Sequence, residues 1–395
     1  MRTPENLRET LEDAFGAPSA EVRTVFVPYR VCPLGAHVDH QLGQVTGFCI
    51  DRGMCMAFAP SGDSCVRIGS MEFEGQIEFD LEQVPSAVTG DWGNYARGAA
   101  QALSQRHRVC RGFDGVIGGS MPIGGLSSSA AVGIAYLLAL EFVNNVEVTP
   151  AENIGLDQFI ENSYLDLNNG VLDPSVILLN ERGKLLFLDC QSGEYEDVSP
   201  PSGVFSFDVA IVYSGLSRSL VTTGYNRRVA ECREAARWLL DLDGQPSSNS
   251  SVLRNVSRDA FERHAERLSD AARKRATHFF TETDRVRRGV EFWRYGDIAS
   301  FGKLMNESCE SSIRNYECGG PHLISLYEIL SQTEGVHGTR FSGAGFRGCC
   351  VALADPGQRG NIIDAVQRLY PVRHPEVADK YEIHFCSFGG GPETT

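Results

Sequence analysis

The chain lacks the cysteine spacings of a metal or redox motif. None of its 12 cysteines belongs to a C-x-x-C pair, and Cys349 and Cys350 are adjacent, which suits neither a disulfide framework nor zinc ligation. They read as small apolar residues of a reduced, intracellular protein. Long apolar runs are missing too, since none approaches the roughly 20 residues that span a bilayer. The start, MRTPENLRETLEDAFG, has no basic segment followed by an apolar core, so no signal peptide and a cytosolic location are expected. Basic charge is scarce: 36 Lys+Arg stand against 51 Asp+Glu, a net charge of -15. That excludes nonspecific nucleic-acid binding, because few cations are left to replace phosphate counterions. Any anionic ligand must be held by a local cluster of donors.

What is present is a chain of 395 residues, 42% hydrophobic and 22% charged, enough for a full core and for two domains sharing an interface. Alternating or apolar runs bounded by Gly and Pro, TVFVPYRVCPLG and GFCIDRGMCMAFAPSG, predict strands, and CVRIGSMEFEGQIEFDL predicts a hairpin. Residues 5–15 predict a short amphipathic helix. Thr149 as N-cap with Pro150 behind it predicts a helix start. Around 193–206 the composition turns to Ser, Pro, Gly and acids, which places domains at 1–195 and 203–395. The second contains a strand at FDVAIVYSG and helices at 225–242, 258–310 and 321–333. RDAFERHAERLSDAARKRATHFF reads as a solvated, charge-balanced helix face, and the tail GGGPETT as frayed. Strands and helices mix without strict βαβ alternation, so the expected class is α+β.

Two glycine loops carry chemistry. In PIGGLSSSAAVGIAYLLAL, Gly124 and Gly125 let the backbone approach a ligand, and Ser127, Ser128 and Ser129 open a long apolar helix. Free N–H groups at that helix start favour an anion, and the hydroxyls suit phosphate or a hard cation such as Mg²⁺. No lysine follows, so this is not a Walker loop. A Gly-Ser turn capping a buried helix is the plainer reading of the spacing alone. The second loop, Ser342 to Gly348, precedes an apolar strand. Two such loops in separate domains suggest a ligand clamp at their interface. A third stretch, YRVCPLGAHVDHQLG, gathers Arg30, His37, Asp39 and His40 around Ala36. Taken singly, His37, His40 and Asp39 read as turn residues, Glu161 as a solvated helix residue, and Asp173-Pro174 as a helix start.

Together these segments resemble the GHMP small-molecule kinases. PIGGLSSSAA resembles their phosphate loop, and YRVCPLGAHVDH the galactokinase signature, an arginine followed by Gly-Glu-His-Thr-Asp-Tyr. NGVLDPSV resembles the catalytic-aspartate segment, and RFSGAGFRGCC the third motif; WGNY is a further match. The resemblance runs from about residue 25 to about 355. It is greatest to the galacturonate-phosphorylating branch, which also has alanine in the signature and reads GAGFRGCC. It implies a two-domain fold with the active site in the interdomain cleft, ATP and Mg²⁺ as cofactors, and transfer to the anomeric C1 hydroxyl of a sugar. By position it implies Asp173 and Arg30 as the catalytic pair, with Ala36, His37, Asp39, Gly170 and Tyr225 around the sugar. Gly124, Gly125, Ser127, Ser128 and Ser129 would hold phosphate, Trp92 would face adenine, and Ser128 and Glu161 would take the metal.

Several positions depart from galactokinase. Pro174 replaces a glutamine, Arg347 a glycine, His40 a tyrosine and Ala36 the signature glutamate. That glutamate would repel a sugar bearing a C6 carboxylate, so the expected substrate is D-galacturonic acid and the product galacturonate 1-phosphate. Galactose or a broad range of hexoses is the alternative, and a non-catalytic sugar sensor a further one. Arg218, Arg227, Arg228, His40, Thr222 and Thr223 are the candidates for holding the carboxylate.

Overall fold

The computed structural model describes residues 4–122, 124–201, 207–216 and 224–395. Its strands are β1 Arg23–Val31, β2 Gln44–Pro60, β3 Cys65–Ser70, β4 Gln76–Asp80, β5 Phe113–Gly119, β6 Leu185–Asp189, β7 Tyr195–Val198, β8 Asp208–Tyr213, β9 Val336–Phe341, β10 Cys349–Ala354, β11 Glu382–Cys386 and β12 Glu393–Thr394. They build two sheets. The first runs β12-β1-β2-β5-β3-β4, with β6 on β2 and β7 on β6. The second runs β11-β8-β10-β9. All paired strands are antiparallel except β3 and β5, as expected of an α+β chain. Among the described residues no helix is long and apolar enough to cross a membrane.

The first sheet is covered on one side by α1 Pro4–Phe15, whose Leu7 and Leu11 pack with Cys55, Ala57 and Val116. α2 Asn94–Ser104, α3 Ser128–Asn144, α4 Pro150–Phe159 and α5 Leu172–Leu179 complete the first half. α3 is apolar nearly all round and its interior residues are buried. An all-apolar helix has no face to give to water, so it sits inside and its N-terminus opens onto the site rather than onto solvent. Thr149 caps α4 by accepting the Glu152 N–H, with Pro150 at the first position. The register between β1 and β2 shifts between Pro28 and Arg30, where proline offers no ladder donor. This break lies directly before the arginine of the sugar-like signature.

The second sheet is packed by α6 Tyr225–Leu242, α7 Arg258–His264, α8 Asp270–Tyr295, α9 Ile298–Ser311, α10 Pro321–Ser331 and α11 Arg359–Arg373. Cys349 and Cys350 are consecutive on β10, so they face opposite sides of the sheet, each into a different core cluster. All 12 cysteines are unpaired. The tail is not frayed. β12 pairs with β1, and Thr24 and Thr395 exchange both backbone hydrogen bonds at 2.8 Å. The ladder at the exposed edge of β1 holds these polar residues in place, which their composition did not reveal.

The charge-rich stretch 258–280 is exposed over much of its first part, as expected, but the inner face of α8 is not. Arg275, His278, Glu282 and Arg285 recur at helical spacing, and all four are buried. Arg275 pairs with Glu231 and Glu317 at 2.7 Å each. Glu282 joins the two halves: its Oε1 accepts the Gly35 N–H at 2.7 Å and the Ser308 hydroxyl at 2.6 Å. Arg285 binds its Oε2 at 2.7 Å, and Arg340 stands 3.7 Å away on β9. Burial would raise this carboxyl, but Arg285, His278, Arg340 and Ser308 outweigh it and hold it at about 2. The stripe is charged because it is a joint, not because it meets water.

Glu282→Ala leaves two buried arginines and the Gly35 N–H short of their acceptor. Removing one member of such a group costs roughly 3–5 kcal/mol, so urea unfolding should show a loss of that order. A loss under about 1 kcal/mol would mean that water already screens the joint.

Candidate active site

The signature segment follows β1 as a tight loop. Gly35 has φ +99°, and a Cβ there would lie 2.5 Å from the Val45 Cα, so only glycine fits. The His278 Nε2–H donates to the Ala36 carbonyl at 2.9 Å, while its Nδ1 faces the Ser311 hydroxyl, also at 2.9 Å. Burial lowers the His278 pKa to about 4, so the ring is neutral and holds the Ala36 backbone as a fixed donor. His37 adopts a left-handed φ of 62°, sparsely populated for a residue with a Cβ. Its ring stacks on Tyr316 with centroids 4.2 Å apart and planes 7° apart. Burial first, then His278 and nearby arginines, push His37 well below the ordinary imidazole range.

The two glycine loops meet backbone to backbone. A Cβ on Gly348 would come within 2.8 Å of the Gly124 carbonyl carbon, and one on Gly343 within 3.0 Å of the Gly125 Cα. Ser127 is left-handed at φ 58°, which turns its side chain away from capping α3. Its hydroxyl donates instead to Asp173 Oδ2 at 2.5 Å. Asp173 lies in the first turn of α5, and its Oδ1 accepts from Arg30 Nε at 2.8 Å and Nη2 at 2.6 Å. Burial opposes the Arg30 charge, but Asp173 more than offsets it and the arginine pKa is raised. Arg30 Nη1 is buried and has no partner. An unpaired buried donor beside a helix start, where free N–H groups also point, can take a ligand oxygen.

Glu161 lies just beyond α4 in a π-helical turn, Ile160–Tyr164, the kind of irregularity that re-aims a side chain. Its Oε2 accepts from Asn169 Nδ2 at 2.7 Å, while Oε1 is buried without a partner. Burial and the Asp173 charge raise Glu161 to about 7, against the pull of Asn169, Ser129 and Arg30. Asp157, four residues earlier, is fully buried with both oxygens unpaired, and burial and Glu161 raise it far above the carboxylate range. An unmet acceptor, a serine hydroxyl and two acids held close form an all-oxygen donor set that suits a hard divalent cation.

Asp39 faces the same space. A Cβ on Gly170 would lie 2.3 Å from Asp39 Oδ2, so the glycine is what lets the carboxylate sit there. Burial and Asp173 raise Asp39 to about 6. Tyr225 opens α6 and senses Asp39, Asp173 and Glu161. Trp92 stacks on Phe73 with centroids 6.0 Å apart and planes 11° apart, a flat aromatic face at the start of α2. Of the carboxylate candidates, His40 is committed to Tyr316 at 3.2 Å and Gln41 at 3.0 Å, and burial lowers it to about 3. Arg227 is exposed and paired with Glu231. Arg228 is also paired with Glu231, but its Nε is buried and unpartnered. Arg347 is exposed. Arg218, Thr222 and Thr223 lie outside the described residues.

The structure therefore brings Arg30, Ser127, Ser129, Glu161, Asp173, Asp39, Gly170 and Tyr225 into one electrostatic neighbourhood. Sequence reasoning missed Asn169, Tyr316, His278 and Glu282. Asn169 sits beside Gly170 in a motif and was within reach of a closer reading. Tyr316, His278 and Glu282 come from the far half of the chain with no local signal.

Residues 94–181 match the GHMP kinases N terminal domain and residues 287–372 the GHMP kinases C terminal. Galacturonokinase of Arabidopsis thaliana is 43% identical over 394 residues, covering 95% of this chain and 93% of that protein. Galactokinase of Fusobacterium nucleatum is 32% identical, covering 93% and 94%. The structure of Lactococcus lactis galactokinase complexed with galactose superposes with a TM-score of 0.89 at 29% identity, covering 98% of this chain and 99% of that one. Methanococcus jannaschii mevalonate kinase shares the fold at a TM-score of 0.66 and 15% identity. With its two glycine loops closed on each other and a similarity that extends over nearly its whole length, the chain belongs to the GHMP kinase family.

Proposed function

We propose that the protein transfers the γ-phosphoryl group of ATP to the anomeric C1 hydroxyl of D-galacturonic acid, giving galacturonate 1-phosphate. The observation that carries this reading is the Asp173 carboxylate, held by Arg30 and Ser127, beside a free Arg30 Nη1 donor and a free Glu161 acceptor. The 43% identity to a galacturonokinase supports the choice of sugar. This reading takes 1–195 and 203–395 as the two lobes; β12, from the second, pairs with β1 in the first sheet.

Phosphoryl transfer needs alignment and charge cancellation more than covalent work. Asp173 holds the C1 hydroxyl in line and accepts its proton as the new O–P bond forms. Arg30 fixes the rotamer of Asp173 and offers Nη1 to an oxygen of the moving phosphoryl group. The α3 N-terminus, behind Gly124, Gly125 and Ser127–Ser129, binds phosphate through its free N–H groups. Asp39 and Tyr225 face the ring hydroxyls with the neutral His37, and Trp92 with Phe73 offers a surface for adenine stacking. Glu161, with Ser129 and Ser128, would hold Mg²⁺, which when bound neutralises phosphate charge. Asn169 orients Glu161 for that role.

Asp173→Asn preserves shape and removes the proton acceptor. The fold and ligand binding should persist while kcat falls by at least ~10²-fold, the scale of general-base effects. Near-wild-type turnover in the folded variant would remove Asp173 from the reaction.

Glu161→Ala should raise the free Mg²⁺ needed for half-maximal rate and leave sugar affinity roughly intact. Rate measured against free Mg²⁺ at saturating sugar decides this; an unchanged curve would take Glu161 out of the metal site.

Ala36→Glu places a carboxylate near the sugar C6 group. Two like charges about 4 Å apart at an effective dielectric of ~20 repel by ~4 kcal/mol, and water and side-chain movement reduce this to about 10²-fold in kcat/KM. The same glutamate accepts a hydrogen bond from the 6-hydroxyl of galactose, worth ~1.5–3 kcal/mol. Galacturonate activity should collapse while galactose activity holds or rises. A wild type that prefers galactose, or a variant whose preference does not move, overturns the uronic-acid reading in favour of galactokinase.

A further inference from the structure

The kinase reading leaves one cluster of ligand-type side chains unused. It lies on the outer side of the second half, where α10 meets the end of α11. His322 is the second residue of α10, His374 directly follows α11, and Glu376 lies in the short turn Pro375–Val377. One ligand atom from each lies within 4.8 Å of the others. The imidazole rings are 4.1 Å apart, centroid to centroid, and inclined by 30°. Both turn a nitrogen toward the same carboxylate oxygen: His322 Nε2 is 2.6 Å and His374 Nδ1 3.6 Å from Glu376 Oε1.

We propose that His322, His374 and Glu376 form a binding site for a divalent metal of the zinc class. Two imidazoles and one carboxylate with an open fourth position for water are a donor set that zinc accepts. Bonds of ~2.0–2.2 Å to a tetrahedral ion set its ligands about 3.4 Å apart. The His322–Glu376 hydrogen bond must therefore open by less than an ångström or so. Glu376, whose side chain is 56% exposed, is free to make that movement. Its companions are already fixed. His374 Nε2 meets the Ser325 hydroxyl at 2.8 Å, which leaves Nδ1 as the ligand nitrogen and supplies the outer hydrogen bond that orients metal-bound histidines. Ser325 and His322 are three residues apart on α10, so one helix face presents both a ligand and its supporting partner. Arg373, next to His374, turns to Glu328 at 2.8 Å and so is not drawn to Glu376.

The site clamps α10 to the end of α11. The residues leading into α10 include Tyr316, stacked on His37, and Cys318, 3.5 Å from His37 Nε2. A bound ion therefore stiffens the segment that backs the signature loop. This proposal does not depend on which sugar is used, or on the protein being a kinase.

The test is titration of the full-length protein with Zn²⁺ alone, by calorimetry and by thermal melting, in a buffer free of chelator. One equivalent should bind, and the melting temperature should rise with zinc and fall back with EDTA. His322→Ala and His374→Ala should each weaken binding by about 10²-fold, and Ser325→Ala by about 10-fold, the scale of an outer-shell loss. Each variant's metal-free melt and sugar-kinase rate should match wild type, which shows that the fold is kept. Should His374→Ala melt early, His322→Gln, at a more exposed position, serves the same purpose. Absence of binding overturns the proposal. So does zinc binding that is equally tight in both histidine variants, which would assign it to cysteines such as the exposed Cys110.

Discussion

The buried carboxylate of Glu282 is the constraint on which the rest of the site depends. It comes from the middle of α8, in the second half, yet it accepts the backbone N–H of Gly35 in the first. Two arginines and a serine hydroxyl surround it. A carboxylate held at about 2 in a closed interior stays charged at neutral pH. The signature loop is thus attached to a fixed ionic post rather than to a mobile surface. Arg30, on the strand leading into that loop, and Asp39, just after it, inherit their positions from this attachment.

Against that frame the centre of the site has the opposite electrostatic character. The Asp173 charge raises the pKa values of Asp39, Glu161 and Asp157, Glu161 raises Asp157 further, and Arg30 is a cation bound directly among them. Without further positive charge, Glu161 at about 7 and Asp39 at about 6 are partly protonated near neutrality. A site that gathers acids this closely is incomplete until a cation enters. The unmet Glu161 oxygen and the unmet Arg30 N–H are the two sides of that incompleteness: one awaits a cation and the other an anion. Under the proposed kinase reading, a nucleotide phosphate chain with a divalent ion would satisfy both.

Around Ala36 the histidines are neutral, since burial lowers His40 to about 3, His278 to about 4 and His37 further below its ordinary value. None supplies a formal positive charge to a sugar carboxylate. Their work is positional: His278 holds the Ala36 carbonyl, His37 stacks on Tyr316, and His40 binds the Tyr316 hydroxyl. Under the proposed reading, tolerance of a uronic acid at this place would begin with the absence of a negative side chain at position 36, not with an imidazolium facing it.

The local sequence by itself determined the parts whose physics is local. The Gly-Gly-Leu-Ser-Ser-Ser run before an apolar helix marks a glycine turn that opens a buried helix, because free N–H groups and glycine backbones act over a few residues. Alternation identified the strands, and Thr149 and Pro150 the start of α4. Tertiary structure decided everything that depends on partners distant in the chain. It buried the charged face of α8, because Glu231, Glu317 and Gly35 lie opposite it. It paired the polar tail with β1, because an open strand edge was there to receive it. It turned Ser127 toward Asp173, a choice that three adjacent serines cannot specify alone. Periodicity records what one segment needs to bury; which opposite charge or backbone donor meets it is fixed only when the two halves close.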